Sequence, residues 1–282
     1  MGRFAMDFNF IKPEPTPWTW KHAWPNLLAP PVCVACETVL PSGETTLFCR
    51  LCLSFINSAG WRKVCLGCGA RFPGELTVIQ DCAYCQAWPK HFASVTSLSN
   101  YEGLVRDLVI RMKNRNGEIT ALQMGKLLAR HLSKNATEGL IRQIDWVTPI
   151  PTHWHRRLRR GFNVSELLVE SVCQVPVWKG KSKKLLATQR KTGKQGTLSI
   201  SQRFQNVKKC FKISGKTDLQ GATILLIDDV MTSGATALQA LQLLKSAGAN
   251  AVHLGIIARG IGRQTAKVRI RKDVSEGANV AG

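Results

Sequence analysis

The chain has 282 residues, 44% hydrophobic and 20% charged, a globular balance that excludes a wholly disordered protein and suffices for one large domain or two ordinary ones. Its 39 Lys+Arg against 18 Asp+Glu leave a formal net charge of +21, and no aliphatic run approaches the ~18 residues of a membrane span. The opening MGRFAMDFNF carries Asp7 and no apolar core, so a secretory signal is not expected; ten cysteines then point to metal or thiol chemistry rather than disulfides.

In chain order, residues 1–30 are rich in Pro and Trp (Pro13, Pro15, Trp18, Trp20, Trp24) without periodicity and read as an irregular leader. Residues 31–90 are a cysteine-rich unit with too few long apolar runs to hold a core alone. From about 91 to 260 the pattern is that of an α/β domain. Leu104, Leu108 and Met112 recur at helical spacing, as do Leu122, Leu128 and Leu132, and Trp146–Ile150 reads as a buried strand. Residues 179–216, basic and short of apolar side chains, read as a mobile loop and connector. Thr223–Ile227 is predicted as a strand, Asp228–Ala235 as a loop and Thr236–Ala247 as a helix stopped by Gly248. Ala251–Ala258 is predicted as the next strand. A βαβ unit of this kind implies a parallel sheet covered by helices. Residues 261–282 turn polar and read as a disordered tail.

The charge is concentrated. Residues 151–220 hold 16 Lys+Arg against 3 Asp+Glu, a net +13, which points to a polyanionic partner. The lysines Lys179, Lys181, Lys183 and Lys184 are the candidate nucleic-acid contacts, with Trp178 beside them either stacking a base or serving as a buried structural residue.

Eight cysteines form four Cys-x-x-Cys pairs: Cys33/Cys36, Cys49/Cys52, Cys65/Cys68 and Cys82/Cys85. A two-residue gap lets both thiolates of a knuckle point at one ion, and two knuckles complete a tetrahedron. The pattern predicts two structural zinc sites, with an iron–sulfur cluster as the alternative. Pairs one and two, and also pairs two and three, are separated by 12 residues. Spacing alone therefore leaves a crossed pairing open. Cys173 and Cys210 lack such partners and read as packing residues.

The stretch Leu225-Leu226-Ile227-Asp228-Asp229-Val230-Met231-Thr232-Ser233-Gly234-Ala235-Thr236 delivers two carboxylates to the C-terminal end of a buried strand, where α/β proteins bind ligands. The hydroxyl and glycine loop then opens a helix whose free N–H groups and dipole make a phosphate cradle. The carboxylates suit vicinal sugar hydroxyls on the same ligand.

This stretch resembles the phosphoribosyl pyrophosphate (PRPP) motif of the type I phosphoribosyltransferases, and the landmarks over about residues 31–260 resemble the ComF family of competence proteins. Pro149-Ile150-Pro151, His153, Arg156 and Arg160-Gly161-Phe162-Asn163 match one family segment, and Thr192, Gln195, Leu198, Arg203, Asn206 and Phe211 match the next. Ser233 replaces a Thr of the loop, Val164 a Gln, and Ala187 and Thr188 stand where an Arg is usual. The resemblance implies a type I phosphoribosyltransferase-like parallel sheet with an N-terminal double zinc ribbon, each zinc held by four cysteines. It implies that Asp228 and Asp229 hold the ribose hydroxyls, as the catalytic pair of an active enzyme. Thr232, Ser233, Gly234, Ala235 and Thr236 would surround the 5′-phosphate, with Arg156 and Arg160 on the pyrophosphate side and Mg²⁺ carried in with PRPP. It further implies a cytoplasmic factor for uptake of single-stranded DNA in natural transformation, at the inner face of the inner membrane and alongside a helicase or channel. A phosphoribosyltransferase of nucleotide metabolism and a scaffold with a vestigial site are the rival readings.

Overall fold

A computed structural model describes residues 30–41, 46–56, 63–74, 77–80, 82–86, 88, 92–135, 142–151, 161–176, 178, 180–189 and 210–261. Helices α1 (Arg50–Ile56), α2 (Gly103–Met112), α3 (Glu118–Asn135), α4 (Val164–Cys173) and α5 (Ala235–Ser246) alternate with short and long strands. The strands are β1 (Lys63–Cys65), β2 (Arg71–Phe72), β3 (Val78–Ile79), β4 (Ser94–Asn100), β5 (Trp146–Pro149), β6 (Lys181–Ser182), β7 (Leu186–Thr188), β8 (Phe211–Ile213), β9 (Thr223–Met231) and β10 (Ala251–Arg259). Among the described residues the main sheet has five strands in the order β4-β10-β9-β5-β6, every pair parallel. A parallel sheet of this kind requires crossover connections, and α5 supplies the one between β9 and β10.

The central strands are apolar on both faces, as a sheet covered by helices on both sides demands. Alternation along β9 sends Leu225 and Ile227 into one hydrophobic cluster with α2, α3 and α4, and Ile224 and Leu226 into a second with α5. Helix α5 ends as the sequence predicts. Gly248 adopts φ +101°, its N–H bonds to Lys245 O at 3.1 Å and that of Ala249 to Leu244 O at 3.1 Å.

The cysteine-rich unit is divided between the same two clusters. Cys33, Phe48, Cys52 and Ile56 join Leu108, Met112 and Leu128 in the first, whereas Cys65, Cys68, Cys82 and Cys85 join Met231, Ala235 and Leu238 in the second. The second four-cysteine unit also covers β4, which lies at one edge of the main sheet. Asn100 accepts from Arg71 N at 3.1 Å and donates to Arg71 O at 2.8 Å, and Ser97 Oγ donates to Gly69 O. Side-chain bonds of this sort occupy an edge that would otherwise be open to another chain.

The structure corrects the sequence at three places. Strand β9 runs on past Ile227 to Met231, so both carboxylates lie on the strand rather than in a loop. The segment read as a mobile connector contains β6, which pairs with β5, and the β7–β8 hairpin. Helix α4 follows Asn163, whose side chain accepts from Ser165 N, in a region to which the sequence assigns no element. The leader up to residue 29 and the tail from 262 lie outside the described residues, as do Thr192, Gln195, Leu198, Arg203 and Asn206.

Candidate functional site

The two knuckle pairs come together in sequence order. Cys33, Cys36, Cys49 and Cys52 form one cluster and Cys65, Cys68, Cys82 and Cys85 the other, the sulfurs of each within 4.8 Å of one another. The crossed pairing is thereby excluded. Sulfur–sulfur distances are 3.7 Å for Cys36–Cys49 and 3.5 Å for both Cys65–Cys85 and Cys68–Cys82. A tetrahedron with Zn–S of about 2.3 Å has edges of about 3.8 Å, so zinc fits both. Backbone amides already point at sulfur in the first cluster, Cys49 N to Cys33 Sγ at 3.4 Å and Cys52 N to Cys49 Sγ at 3.5 Å. In the second, hydrogen bonds with Cys68 and Cys82 hold the Cys65 thiol down to about 2, while burial pushes Cys85 up to about 12 and the bonds with Cys65 and Cys68 push Cys82 up. Four thiols this close cannot all ionise without a cation among them. Four protein ligands per cluster leave no open position, which suits a structural metal.

The acidic pair sits at the C-terminal end of β9. Asp228 accepts from Ser165 Oγ of α4 at 3.1 Å and from Asp229 N at 2.9 Å. Burial, and after it the Asp229 carboxylate, push the Asp228 carboxyl up to about 8, against the pull of the Asp229 amide, Lys113 and Ser165. Asp229 accepts from Val230 N at 2.7 Å and pairs with Lys113 Nζ at 2.7 Å. Lys113 is the C-terminal cap of α2 and Ser165 lies in the first turn of α4. The sequence singled out neither. Their only signal is position at a helix end, and nothing local to either residue says which strand that end will face.

Gly234 precedes α5 with φ +78°, a conformation that favours glycine, and its carbonyl accepts the first helical bond from Leu238 N at 2.8 Å. Ser233 is buried, and its hydroxyl accepts from Ala235 N at 3.4 Å. Thr232 to Thr236 thus bring the N-terminus of a twelve-residue helix, the positive end of its dipole, to the same strand end as the carboxylates. Arg156 and Arg160 lie outside the described residues. The chain re-enters at Gly161 and leads through Phe162 and Asn163 straight into α4, whose Ser165 touches Asp228.

The lysine cluster is only partly free. Lys179 lies outside the described residues and Lys181 is exposed on β6. Lys183 Nζ sits 5.1 Å from the centroid of the Trp146 ring, and Lys184 Nζ pairs with Glu166 at 2.7 Å. Trp178 is 6% exposed and packs in the core. Beside this strand a cleft of about 570 Å³ is lined by Asn163, Glu166, Cys173, Ser182 and Lys184.

The phosphoribosyl transferase domain family matches residues 158–281. DNA utilization protein YhgH of Escherichia coli K12 is 28% identical over 234 residues, 83% of this chain and 99% of that protein. Competence protein F of Haemophilus influenzae is 23% identical over 231 residues, 80% of this chain and 96% of that one. Among solved structures, a hypoxanthine phosphoribosyltransferase from Staphylococcus aureus is 12% identical at a TM-score of 0.31, over 52% of this chain and 69% of that one. A glutamine PRPP amidotransferase from B. subtilis is 21% identical at a TM-score of 0.34, over 50% of this chain and 27% of that chain, about a quarter of its length. Both named relatives are matched over nearly their whole length, well beyond the bounds of the 158–281 domain, and the chain is a homologue of the ComF and YhgH proteins with a phosphoribosyltransferase-type domain.

Proposed function

We propose that the protein acts in DNA uptake or utilization and binds a Mg²⁺–PRPP-type ligand at the end of β9. The observation that carries this reading is the juxtaposition of Asp228 and Asp229 with the glycine-led start of α5. Carboxylates accept from ribose hydroxyls, and a helix N-terminus with its dipole holds a phosphate; one phosphoribosyl ligand satisfies both. Ser165 and Lys113 orient the carboxylates, and Arg156 and Arg160, on the segment entering α4, supply positive charge for the pyrophosphate. Mg²⁺ is held mainly by the ligand's own oxygens and neutralises pyrophosphate charge. The two four-cysteine clusters hold structural zinc.

In this reading residues 31–90 act as a double zinc ribbon and 91–260 as the phosphoribosyltransferase-like domain, flanked by segments 1–30 and 261–282. The basic stretch between 151 and 220, net +13, serves single-stranded DNA in this reading; relatives are named DNA utilization protein and Competence protein F. In this reading the protein works in the cytoplasm beside a membrane channel or helicase; no helix among the described residues is long and apolar enough to cross a membrane.

Calorimetry with Mg²⁺–PRPP tests the site. Above pH ~8, where Asp228 is ionised, Asp228→Asn with Asp229→Asn removes two charged acceptors, each contributing on the order of 1.5–3 kcal/mol, so affinity should fall at least ~10-fold. Equal affinity in wild type and double variant would overturn the assignment. Pyrophosphate release across a panel of bases, with DNA present or omitted, separates an enzyme from a ligand-gated binding protein.

A further inference from the structure

One aromatic residue joins the second four-cysteine cluster to the loop that precedes α5. Trp88 follows Cys85 by three residues, and its N–H bonds to Cys85 O at 2.8 Å. The knuckle turn beneath it is closed by Cys85 N and Gln86 N, both donating to Cys82 O. The half-buried indole lies directly on Gly234. A Cβ at Gly234 would come within 2.7 Å of Trp88 Cη2 and 2.8 Å of its Cζ2. Gly234 is therefore demanded twice, by its φ of +78° and by the ring against it.

Arg259 also faces that ring. Its guanidinium lies 5.0 Å from the Trp88 centroid, and the residue, at the end of β10, is 2% exposed. Nη1 is within hydrogen-bond reach of three carbonyl oxygens: Met231 at 3.0 Å, Thr232 and Gly260. Gly260 N in turn donates to Met231 O at 2.8 Å. Carbonyls tied to a buried cation cannot turn into the cradle, where they would repel a phosphate. The same guanidinium places a positive charge under the loop, and its buried Nε has no hydrogen-bond partner among the described atoms. A buried charge with carbonyl partners costs free energy that an anion at the loop would offset.

We propose that Trp88 and Arg259 are positioning residues that make the shape of the 231–236 loop depend on an intact second four-cysteine centre. Ligand and metal at these two places then stabilise each other. A four-cysteine site folds with its metal, so removing the metal frees the 82–88 turn and withdraws the indole from Gly234. Linkage requires the reverse effect to be equal: a ligand that orders the loop must hold the metal more firmly. The first four-cysteine cluster packs instead on the α2 and α3 side. As far as the ligand is concerned, the inference rests on the proposed PRPP reading; as far as the loop is concerned, it does not.

The test uses the full zinc-loaded chain with Trp88→Ala, Trp88→Phe and Arg259→Lys. Zinc content and melting temperature are checked first, and Trp88→Phe retains an apolar ring should the alanine variant fold poorly. Amide hydrogen exchange over 231–236 should speed up in each variant with both zinc ions still bound. Mg²⁺–PRPP affinity should fall roughly tenfold, the middle of the usual range for coupled sites. In wild type, Mg²⁺–PRPP should slow release of one of the two zinc ions to a chelator, and Trp88→Ala should abolish that protection. A merely structural tryptophan would not show this reciprocity. Unchanged exchange over 231–236 in the variants, or zinc release indifferent to PRPP in a wild type that binds it, overturns the proposal. A wild type that binds no PRPP, with exchange still faster in the variants, overturns the ligand reading alone and leaves the brace standing.

Discussion

Lys113 Nζ lies 2.7 Å from Asp229 Oδ2, so the C-terminal cap of α2 is tied by an ion pair to the acidic end of β9. Lys113 is about one-third exposed and Asp229 largely covered, which puts the pair at the wall of the site rather than on open surface. Its charge also acts on the neighbour, lowering the proton affinity of Asp228.

A first prediction follows from that second effect. In the proposed reading Asp228 accepts from sugar hydroxyls, which it does best as a carboxylate; its carboxyl is pushed up to about 8, so ligand affinity should rise with pH through that value. Lys113→Gln removes a charge that favours the ionised form, moving the rise to higher pH and weakening binding at neutral pH. Lys113→Arg should restore most of it. Calorimetric titrations on either side of that value check this; identical profiles for wild type and Lys113→Gln would show that Lys113 has no part in setting the site's charge.

The same group governs stability in the unliganded chain. A carboxyl raised from its ordinary value of 3.8 to about 8 on folding favours the folded state while protonated. That advantage is full below pH ~4 and is lost as pH rises through about 8. Asp228→Asn has no such loss, so the two proteins should match near pH ~4 and the variant should lead at pH ~8. A tenfold change in proton affinity corresponds to ~1.4 kcal/mol, so the rise from 3.8 to about 8 sets an upper bound of roughly 6 kcal/mol on that lead. Denaturant titrations at the two pH values measure it; a variant less stable at the higher pH would contradict the burial argument.

Metal loss should have different structural consequences at the two clusters. Native mass spectrometry should show two zinc ions per chain and one in Cys33→Ser or in Cys65→Ser. Hydrogen exchange in Cys33→Ser should rise in α2 and α3, where Arg111 Nη1 donates to Val34 O at 3.0 Å and Leu47 N to Gln123 Oε1 at 3.2 Å. In Cys65→Ser it should rise along β4 and over 82–88, since Asn100, Ser97 and Trp88 are held there by the second cluster's turns. Equal, diffuse loosening in both variants would rule out the division between the two faces.

For single-stranded DNA, log K should fall with log salt at about −0.7 per phosphate neutralised. Replacing Lys179, Lys181, Lys183 and Lys184 by Gln should make the slope shallower by about that amount for each phosphate left without its lysine, while PRPP affinity survives. Lys184 is engaged with Glu166 and Lys183 with Trp146, so Lys181→Gln should give the larger single effect among these three. A salt slope unchanged in the fourfold variant would move the DNA surface elsewhere.

What was legible in the sequence was whatever fits in a short window. The four Cys-x-x-Cys knuckles and the strand–helix–strand pattern of 223–259 are each written within a few residues of one another, and the structure returns the cysteine clusters and these elements nearly as read. The strand continuing past Ile227 was hidden because Asp228 and Asp229 are poor strand formers, held in register by β10 through pairs such as Asp228 with Ile256.

Tertiary structure alone decided the pairings over distance. Equal 12-residue gaps could not choose among the knuckles; the backbone path did, by giving one cluster to the α2–α3 side and the other to the α5 side. Lys113 with Asp229, Ser165 with Asp228, and Trp88 with Gly234 and Arg259 all come from elements far apart along the chain, and no local pattern encodes such partners. The physical reason is that a side chain's spacing along the chain sets which face of its own element it occupies, whereas the neighbour it meets is set by how sheet and helices stack, a property of the whole core.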